Sequence, residues 1–183
     1  MSDGYHHGDL RRTLLDEAAK MMDEVGPGSS SLRELARRAG VSHGAPAHHF
    51  VDRRGLLTAL AAQGLRMLAD DLRAATSSGF DEAAVAYVRF ARRHPGHYAV
   101  MYRPDLLRLD DAELIEARLA STNALSAGVE SVPALRREHL TARESAHVAW
   151  SLVHGLASLE AGRAVPEAIA DDLTRRAARQ LFG

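Results

Sequence analysis

The side chains of this chain that could do chemistry are imidazoles, hydroxyls, guanidinia and aromatic rings, and they gather in two places. The first is Ser31 to Phe50, SLRELARRAGVSHGAPAHHF. It reads as two short helices joined by a tight glycine turn, the layout of a helix-turn-helix, and the chemistry such a layout serves is the reading of duplex DNA. The second is the set Phe90, Tyr98, Met101, Tyr102, Trp150 and His154, the richest aromatic and polarisable group in a chain with only 5% aromatic residues. Such residues could line an effector cavity, because drug-sized ligands favour apolar walls with a few placed polar groups. Ordinary core packing would use the same residues, so two readings stand side by side here.

Several chemistries are excluded or left without a foothold. With no Cys there is neither a disulfide nor a thiolate ligand or nucleophile. The tandem His48 and His49 invite a metal or pH-switch reading, but neighbours on a helix point about 100° apart and do not share one ion comfortably. His94 with His97, and His147 with Trp150 and His154, lack the third and fourth ligands that zinc requires. There is no glycine-rich phosphate loop, no G-x-S-x-G elbow and no paired helical carboxylates beside a histidine. The expectation is therefore a protein that is not an enzyme and has no metal site and no cofactor. No run approaches the roughly 20 apolar residues of a membrane span, and MSDGYHHGDLRR lacks the apolar core of a signal peptide. A soluble cytoplasmic protein with no membrane partner is expected.

Charge gives less guidance. The formal net charge is −1, and within the first 55 residues basic and acidic side chains also balance, whereas DNA binders usually show a basic footprint. His6, His7, His43, His48 and His49 lie in this region and could charge near phosphates. Lys20 is the only lysine, which speaks of a GC-rich coding genome rather than of function. The arginine pairs 136–137 and 175–176 read as solvated faces.

The elements that must position these residues are all helical. Turn signals divide 183 residues into about nine helices, and no run shows strand alternation. A first helix runs from about Asp9 to Val25 with an apolar stripe of Leu14, Leu15, Ala18, Met21, Met22 and Val25. In the second, Ser31 is placed to N-cap and Glu34 to reach back in a capping box, with Leu32, Leu35 and Ala36 inward. Gly40 ends it, Val41 plugs the turn, and Ser42 can cap a third helix in which Pro46 sits harmlessly in the first turn. A fourth, from about Asp52 to Ala75, is long enough to bridge into a second domain. Helices follow at about Asp81–His94, Pro95–Tyr102 and Asp111–Val132. Thr141 with Glu144 repeats the capping-box pattern and opens a helix to about Gly162 with apolar or small groups around much of its circumference. The last begins at Pro166 and repeats Ile169, Leu173, Ala177 and Leu181 every four residues. The fold class is all-α: a three-helix helix-turn-helix domain at residues 1–55 (motif 31–50), then a helical ligand-binding and dimerisation domain at 56–183. Helices about 141–162 and 166–182 pairing with their copies would make a four-helix homodimer interface.

On these residues the first 70 or so positions resemble the TetR family of bacterial transcriptional repressors. The resemblance rests on YHHGDLRRTLLDEA, on SLRELARRAGVS, on the HHF that ends the third helix, and on the RRGLL that follows. Further on, YVRFARRHPGHYAVMY at 87–102 and WSLVHGLASL at 150–159 resemble a TetR subgroup whose ligand domain carries a Trp-His-Gly signature, spread here as Trp150, His154 and Gly155. The resemblance implies a homodimer that places two third helices in successive major grooves of a palindromic operator and releases DNA when a small-molecule effector binds. Carried over by position, Ser31 and Arg33 would meet phosphate. Ser42, His43, Gly44, Ala47 and His48 would face bases or backbone, and Arg53 and Arg54 would hold phosphate. Family members commonly have Tyr where this chain has Ala47, and the third helix has no Arg or Lys for a bidentate grip on guanine. Modest affinity is expected unless Arg11, Arg12, Arg53 and Arg54 compensate.

The expected function is a ligand-responsive, sequence-specific DNA-binding regulator, a repressor released by a small apolar effector. The rival classes are a helical protein-interaction module whose helix-turn-helix no longer reads DNA, and an enzyme. Salt-sensitive retention on duplex DNA separates the first rival, and turnover would reveal the second.

Overall fold

The computed structural model describes residues 3–29, 31–133 and 139–182, with side chains from Leu10 onward. The arginine pair 136–137 and the side chains of His6 and His7 lie outside the described residues. Among the described residues the regular structure is nine α-helices and two single 3₁₀ turns, with no strand. The helices are α1 (Asp3–Val25), α2 (Leu32–Ala39), α3 (Ala45–Phe50), α4 (Arg53–Thr76), α5 (Phe80–Arg93), α6 (Pro95–Met101), α7 (Ala112–Glu130), α8 (Ala142–Ala161) and α9 (Glu167–Leu181). The 3₁₀ turns are Pro27–Ser29 and Pro104–Leu106. No described helix is long and apolar enough to cross a membrane.

Local chemistry accounts for most helix ends. Thr141 forms the full capping box: its hydroxyl accepts from the Glu144 N–H at 3.3 Å while the Glu144 carboxylate accepts from the Thr141 N–H at 2.8 Å. Pro95 begins α6, where the missing N–H has no intrahelical partner. The stripe of α1 is buried at Leu14, Leu15, Ala18, Met21 and Met22, but Val25, expected to complete it, is 47% exposed.

Packing divides the chain into two compact units, residues 1–64 with 94–117 and residues 65–93 with 118–183. This differs from the sequence division at 55/56. Helix α4 continues without a break through the boundary, and residues 94–117 belong with the N-terminal helices because α6 packs on α1. In the first unit α1 also packs on α2 and α3. In the second, α5, α8 and α9 pack pairwise. There α8 buries Ser145, Ala149, Val153 and Ala157, and α9 buries Ala170, Thr174 and Ala178. The four-residue repeat expected to be the apolar seam of α9 is therefore not its buried face. Ile169 is 49% exposed, and Leu173, Ala177 and Leu181 are half-buried.

Candidate nucleic-acid interface

The turn between α2 and α3 is built by backbone hydrogen bonds that only certain residues allow. The Ser31 hydroxyl caps α2 by accepting from the Glu34 N–H at 3.2 Å. At the far end Gly40 takes the left-handed conformation, φ 67 and ψ 29. Its N–H donates to Arg37 O at 3.3 Å, and the Val41 N–H reaches back to Ala36 O at 3.0 Å. That pair of bonds is a Schellman cap, and a residue with a Cβ pays a steric penalty at its left-handed position.

Helix α3 starts later than expected. Ser42 does not cap it: Ser42, His43 and Gly44 form a turn in which the Ala45 N–H donates to the Ser42 carbonyl at 3.0 Å, and Gly44, with no side chain to offer, is the N-cap. Pro46 falls in the first turn and, with Phe50, is buried. The opposite side of the motif, Ser42, His43, Gly44, Ala47 and His48, is exposed, as are Ser31 and Arg33. His49 is half-buried with its ring 6.1 Å from that of Phe50.

The arginines around this face are largely committed within the unit. Glu34 takes Arg37 at 2.7 and 2.8 Å and Arg38 at 2.9 Å, and Arg38 also reaches Glu24 at 2.6 Å. The hydrogen bonds from Arg37 and Arg38 pull the Glu34 carboxyl down to about 2. Arg11 pairs with Glu113 at 3.1 Å and lies over the Phe50 ring, 5.8 Å from its centroid. Arg53 donates to the Pro27 carbonyl. Arg54 makes a two-pronged bond to the Leu107 carbonyl, at 2.7 and 3.0 Å. Of the four arginines expected to compensate, Arg11, Arg53 and Arg54 thus have internal partners, while Arg12 is exposed.

The Arg54 bond is part of a strap between the start of α4 and the loop at 102–111. The Thr58 hydroxyl donates to Arg54 O at 2.7 Å and accepts from the Arg108 N–H at 3.0 Å. Arg108 also pairs with Asp52 at 2.8 Å. Asp52 in turn accepts from the Gly55 N–H at 2.8 Å, and that bond, ahead of the Arg108 charge, lowers its pKa. No motif marked Thr58 or Arg108, because the strap joins residues about fifty positions apart.

The six candidate effector residues divide between the two units. Tyr98, Met101 and Tyr102 lie in the first: Met101 is fully buried, and the two tyrosine rings meet edge-on at 5.8 Å. Phe90, Trp150 and His154 lie in the second, where Phe90 is fully buried. A residue that sequence reading passed over, Tyr87, joins two of them. Its hydroxyl accepts from the Trp150 Nε1–H at 3.3 Å and lies 3.1 Å from His154 Nδ1. Burial lowers the pKa of His154 from its ordinary value. An open pocket of about 350 Å³ in the second unit is lined by Gly79, Phe80, Val132, Ala178, Arg179 and Phe182 among others, and by none of the six. Among the described residues no group of three or more His, Asp or Glu is arranged to hold a metal.

Of the expected solvated pair on α9, Arg176 stays on the surface with Asp172 at 3.1 Å, but Arg175 crosses to Glu82 of α5 at 2.6 Å.

Comparison with known proteins supplies what geometry alone does not. Residues 14–60 match the family model for bacterial regulatory proteins of the tetR family, and residues 80–181 match the model for the tetracyclin repressor-like C-terminal domain. The HTH-type transcriptional regulator BetI of Cronobacter sakazakii (strain ATCC BAA-894) is 32% identical over 81% of this chain and 74% of its own length. BetI of Escherichia coli O45:K1 (strain S88 / ExPEC) is 29% identical over 90% of each chain. Among solved structures, a protein of unknown function from Rhodococcus sp. RHA1 superposes with a TM-score of 0.79 at 34% identity, over 99% of this chain and 97% of that one.

Proposed function

Since this chain belongs to the TetR family of bacterial regulatory proteins, a family of DNA-binding transcriptional regulators and not of enzymes, we propose that it is a homodimeric, ligand-responsive repressor. The observation that carries the reading is the helix-turn-helix itself, a Schellman turn at Gly40 followed by an exposed turn, Ser42 to Gly44, and an exposed side of α3 at Ala47 and His48. In this reading residues 1–55 are the DNA-binding domain and 56–183 the ligand-binding and dimerisation domain. Ser31, Arg33, Ser42, His43, Gly44, Ala47 and His48 meet DNA. Arg53 and Arg54 set the α3–α4 corner and reach phosphate only by giving up their carbonyl partners.

The dimer reading is supported by an apolar row left outside the core of the second unit. Val148, Leu152, Gly155 and Leu159 recur at four and three residues along α8. Val148 is 37% and Leu159 49% exposed, and a Cβ added at Gly155 would meet nothing within 4 Å. With Ile169 and Leu173 of α9 they suit a second copy of the same helices, the partner a two-fold operator requires. Phe90, Trp150 and His154, with Tyr87, are the proposed effector contacts in the second unit, where Trp150, His154 and Gly155 would make the Trp-His-Gly signature. Tyr98, Met101 and Tyr102 are proposed contacts in the first. Release of DNA follows if effector shifts α4, whose first residues adjoin the Phe50–Gly55 corner. Effector must then bind the released state more tightly than the DNA-bound one.

The test is selection of duplexes from a random-sequence pool, followed by titration at two salt concentrations beside a scrambled duplex. Tight, salt-sensitive and selective binding by a dimer supports the reading. Failure to enrich any duplex, even at low salt, sinks it and leaves a helical protein-interaction module.

A further inference from the structure

Resting on the reading of α3 as the DNA-facing element, we propose that this chain couples DNA binding to proton uptake at His43 and His48, so that its hold on duplex DNA tightens as the solution becomes more acidic.

The argument begins with what the exposed side of the motif contains. Between Val41 and Asp52 there is no Lys or Arg, and Pro46 and Phe50 are turned into the core. The exposed side chains between them are Ser42, His43, Ala47, His48 and Val51, so the two imidazoles are the ones there that can take up charge. The His48 ring folds back toward the start of the helix, with its Nε2 4.0 Å from where a Gly44 Cβ would stand, so both imidazoles lie at the same end of α3. His49 does not join them, being half-buried beside Phe50.

The charged groups on the packed elements do little to make up the deficit. On α1, Arg11 is held by Glu113, Arg12 is exposed, Glu17 is paired with Lys20 at 2.6 Å, and Asp16 adds negative charge. On α2, Arg33 is exposed, but Arg37 and Arg38 share Glu34, and Arg38 also holds Glu24. After α3 come Asp52 with Arg108, Arg53 on the Pro27 carbonyl and Arg54 on the Leu107 carbonyl. Duplex DNA presents about one negative charge per 1.7 Å of axis. Brought against that field, a neutral imidazole is favoured to take a proton, because a nearby opposite charge stabilises the charged form. Protonation also turns a ring with one donor into a ring with two, which suits phosphate oxygens and the acceptors of guanine. Binding then takes up protons, and by linkage acid strengthens binding, by up to about tenfold per pH unit for each proton taken up.

The experiment uses the full chain and a duplex enriched from a random pool at pH 7, with affinity measured at pH 8.0, 7.25 and 6.5 at constant ionic strength. The wild type is expected to bind about tenfold or more tightly at pH 6.5 than at pH 8.0, with a steeper salt dependence at the lower pH as more phosphates are neutralised. His43→Gln and His48→Gln, both at exposed positions, should each remove part of that dependence, and the double variant should bind alike at both ends. Selective binding by the wild type with the same affinity at pH 8.0 and 6.5 overturns the proposal and leaves the DNA-reading assignment intact. So does a pH dependence that survives in the double variant. If no duplex is enriched at any pH, the assignment of α3 to DNA falls, and the proposal with it.

Discussion

Val51, the residue that closes α3, sits at φ 67 and ψ −59 with its side chain 71% exposed. A β-branched residue there is strained, and neither burial nor side-chain hydrogen bonding compensates. Its N–H donates to Ala47 O at 2.9 Å, and the Asp52 N–H turns sharply back to Phe50 O at 2.7 Å, so the backbone path is set by the corner rather than by the side chain. Val51→Gly should therefore stabilise the protein by about 1 kcal/mol, read from urea unfolding, whereas a loss of stability would show that Val51 is not strained. His97 makes the opposite kind of statement. It is buried, its Nε2–H donates to Gln63 Oε1 at 3.1 Å, and burial, with a smaller contribution from His94, lowers its pKa from 6.5 to about 4. The unfolded chain takes up a proton near pH 6.5 and the folded one only near 4. Stability is thus fully present above pH 6.5 and falls by about 3 kcal/mol on the way down to 4. His97→Gln should flatten that slope; an unchanged slope would assign it to other groups. Nothing local in the sequence marked either residue, because Val51 reads as one more apolar side chain and the burial of His97 depends on helices α1 and α4.

At the scale of elements, the corner between α3 and α4 depends on a close approach. A Cβ at Gly55 would stand 2.0 Å from the Phe50 carbonyl oxygen, and backbone cannot move aside as a flexible side chain can. Gly55→Ala should cost about 3 kcal/mol and should reduce DNA binding even in molecules that remain folded, as the corner opens. Circular dichroism beside a binding titration separates the two effects, and a variant as stable as wild type would remove the corner from the account. Arg54→Ala removes both donors from the Leu107 carbonyl in a buried residue, at an expected cost of about 2 kcal/mol. If Arg54 held phosphate instead, the same variant would keep its stability and lose only affinity, so thermal melting in the absence of DNA decides between the roles. Helix existence and most ends were legible in the sequence through caps, prolines and apolar spacing. The start of α3 was not, since the Ser42 hydroxyl and the Ser42 carbonyl are both plausible acceptors there and the turn used the carbonyl.

For the whole molecule, the second unit is tied across three helices by ion pairs. Arg92 of α5 reaches Glu160 of α8 and, at 2.9 Å, Asp171 of α9, while Arg89 joins Asp171 at 2.6 Å. Glu160 is nearly buried, with one carboxylate oxygen that has no hydrogen-bond partner among the described residues. Arg92→Ala would leave that carboxylate without its cation and should destabilise the protein by about 2 kcal/mol, measured by denaturant titration. A neutral effect would mean that water replaces the arginine. The proposed dimer is tested on the outer row of α8: Leu159→Arg should shift the protein to monomer in sedimentation with its helical content unchanged, and operator binding should weaken because one copy reaches only one half-site. A dimer that persists would place the interface elsewhere.

The sequence by itself determined the helical class, the helix-turn-helix between Ser31 and Phe50, its Gly40 turn and the family, because these follow from local rules: caps, turn residues and the spacing of apolar side chains within a few positions. The tertiary structure decided which arginines are engaged, which face of α8 and α9 is core, and that residues 94–117 pack with the N-terminal helices. Those outcomes depend on partners such as Leu107 for Arg54 and Glu82 for Arg175, which lie 53 and 93 positions away. Periodicity names the faces a helix has, but only the neighbouring helices settle which face is buried.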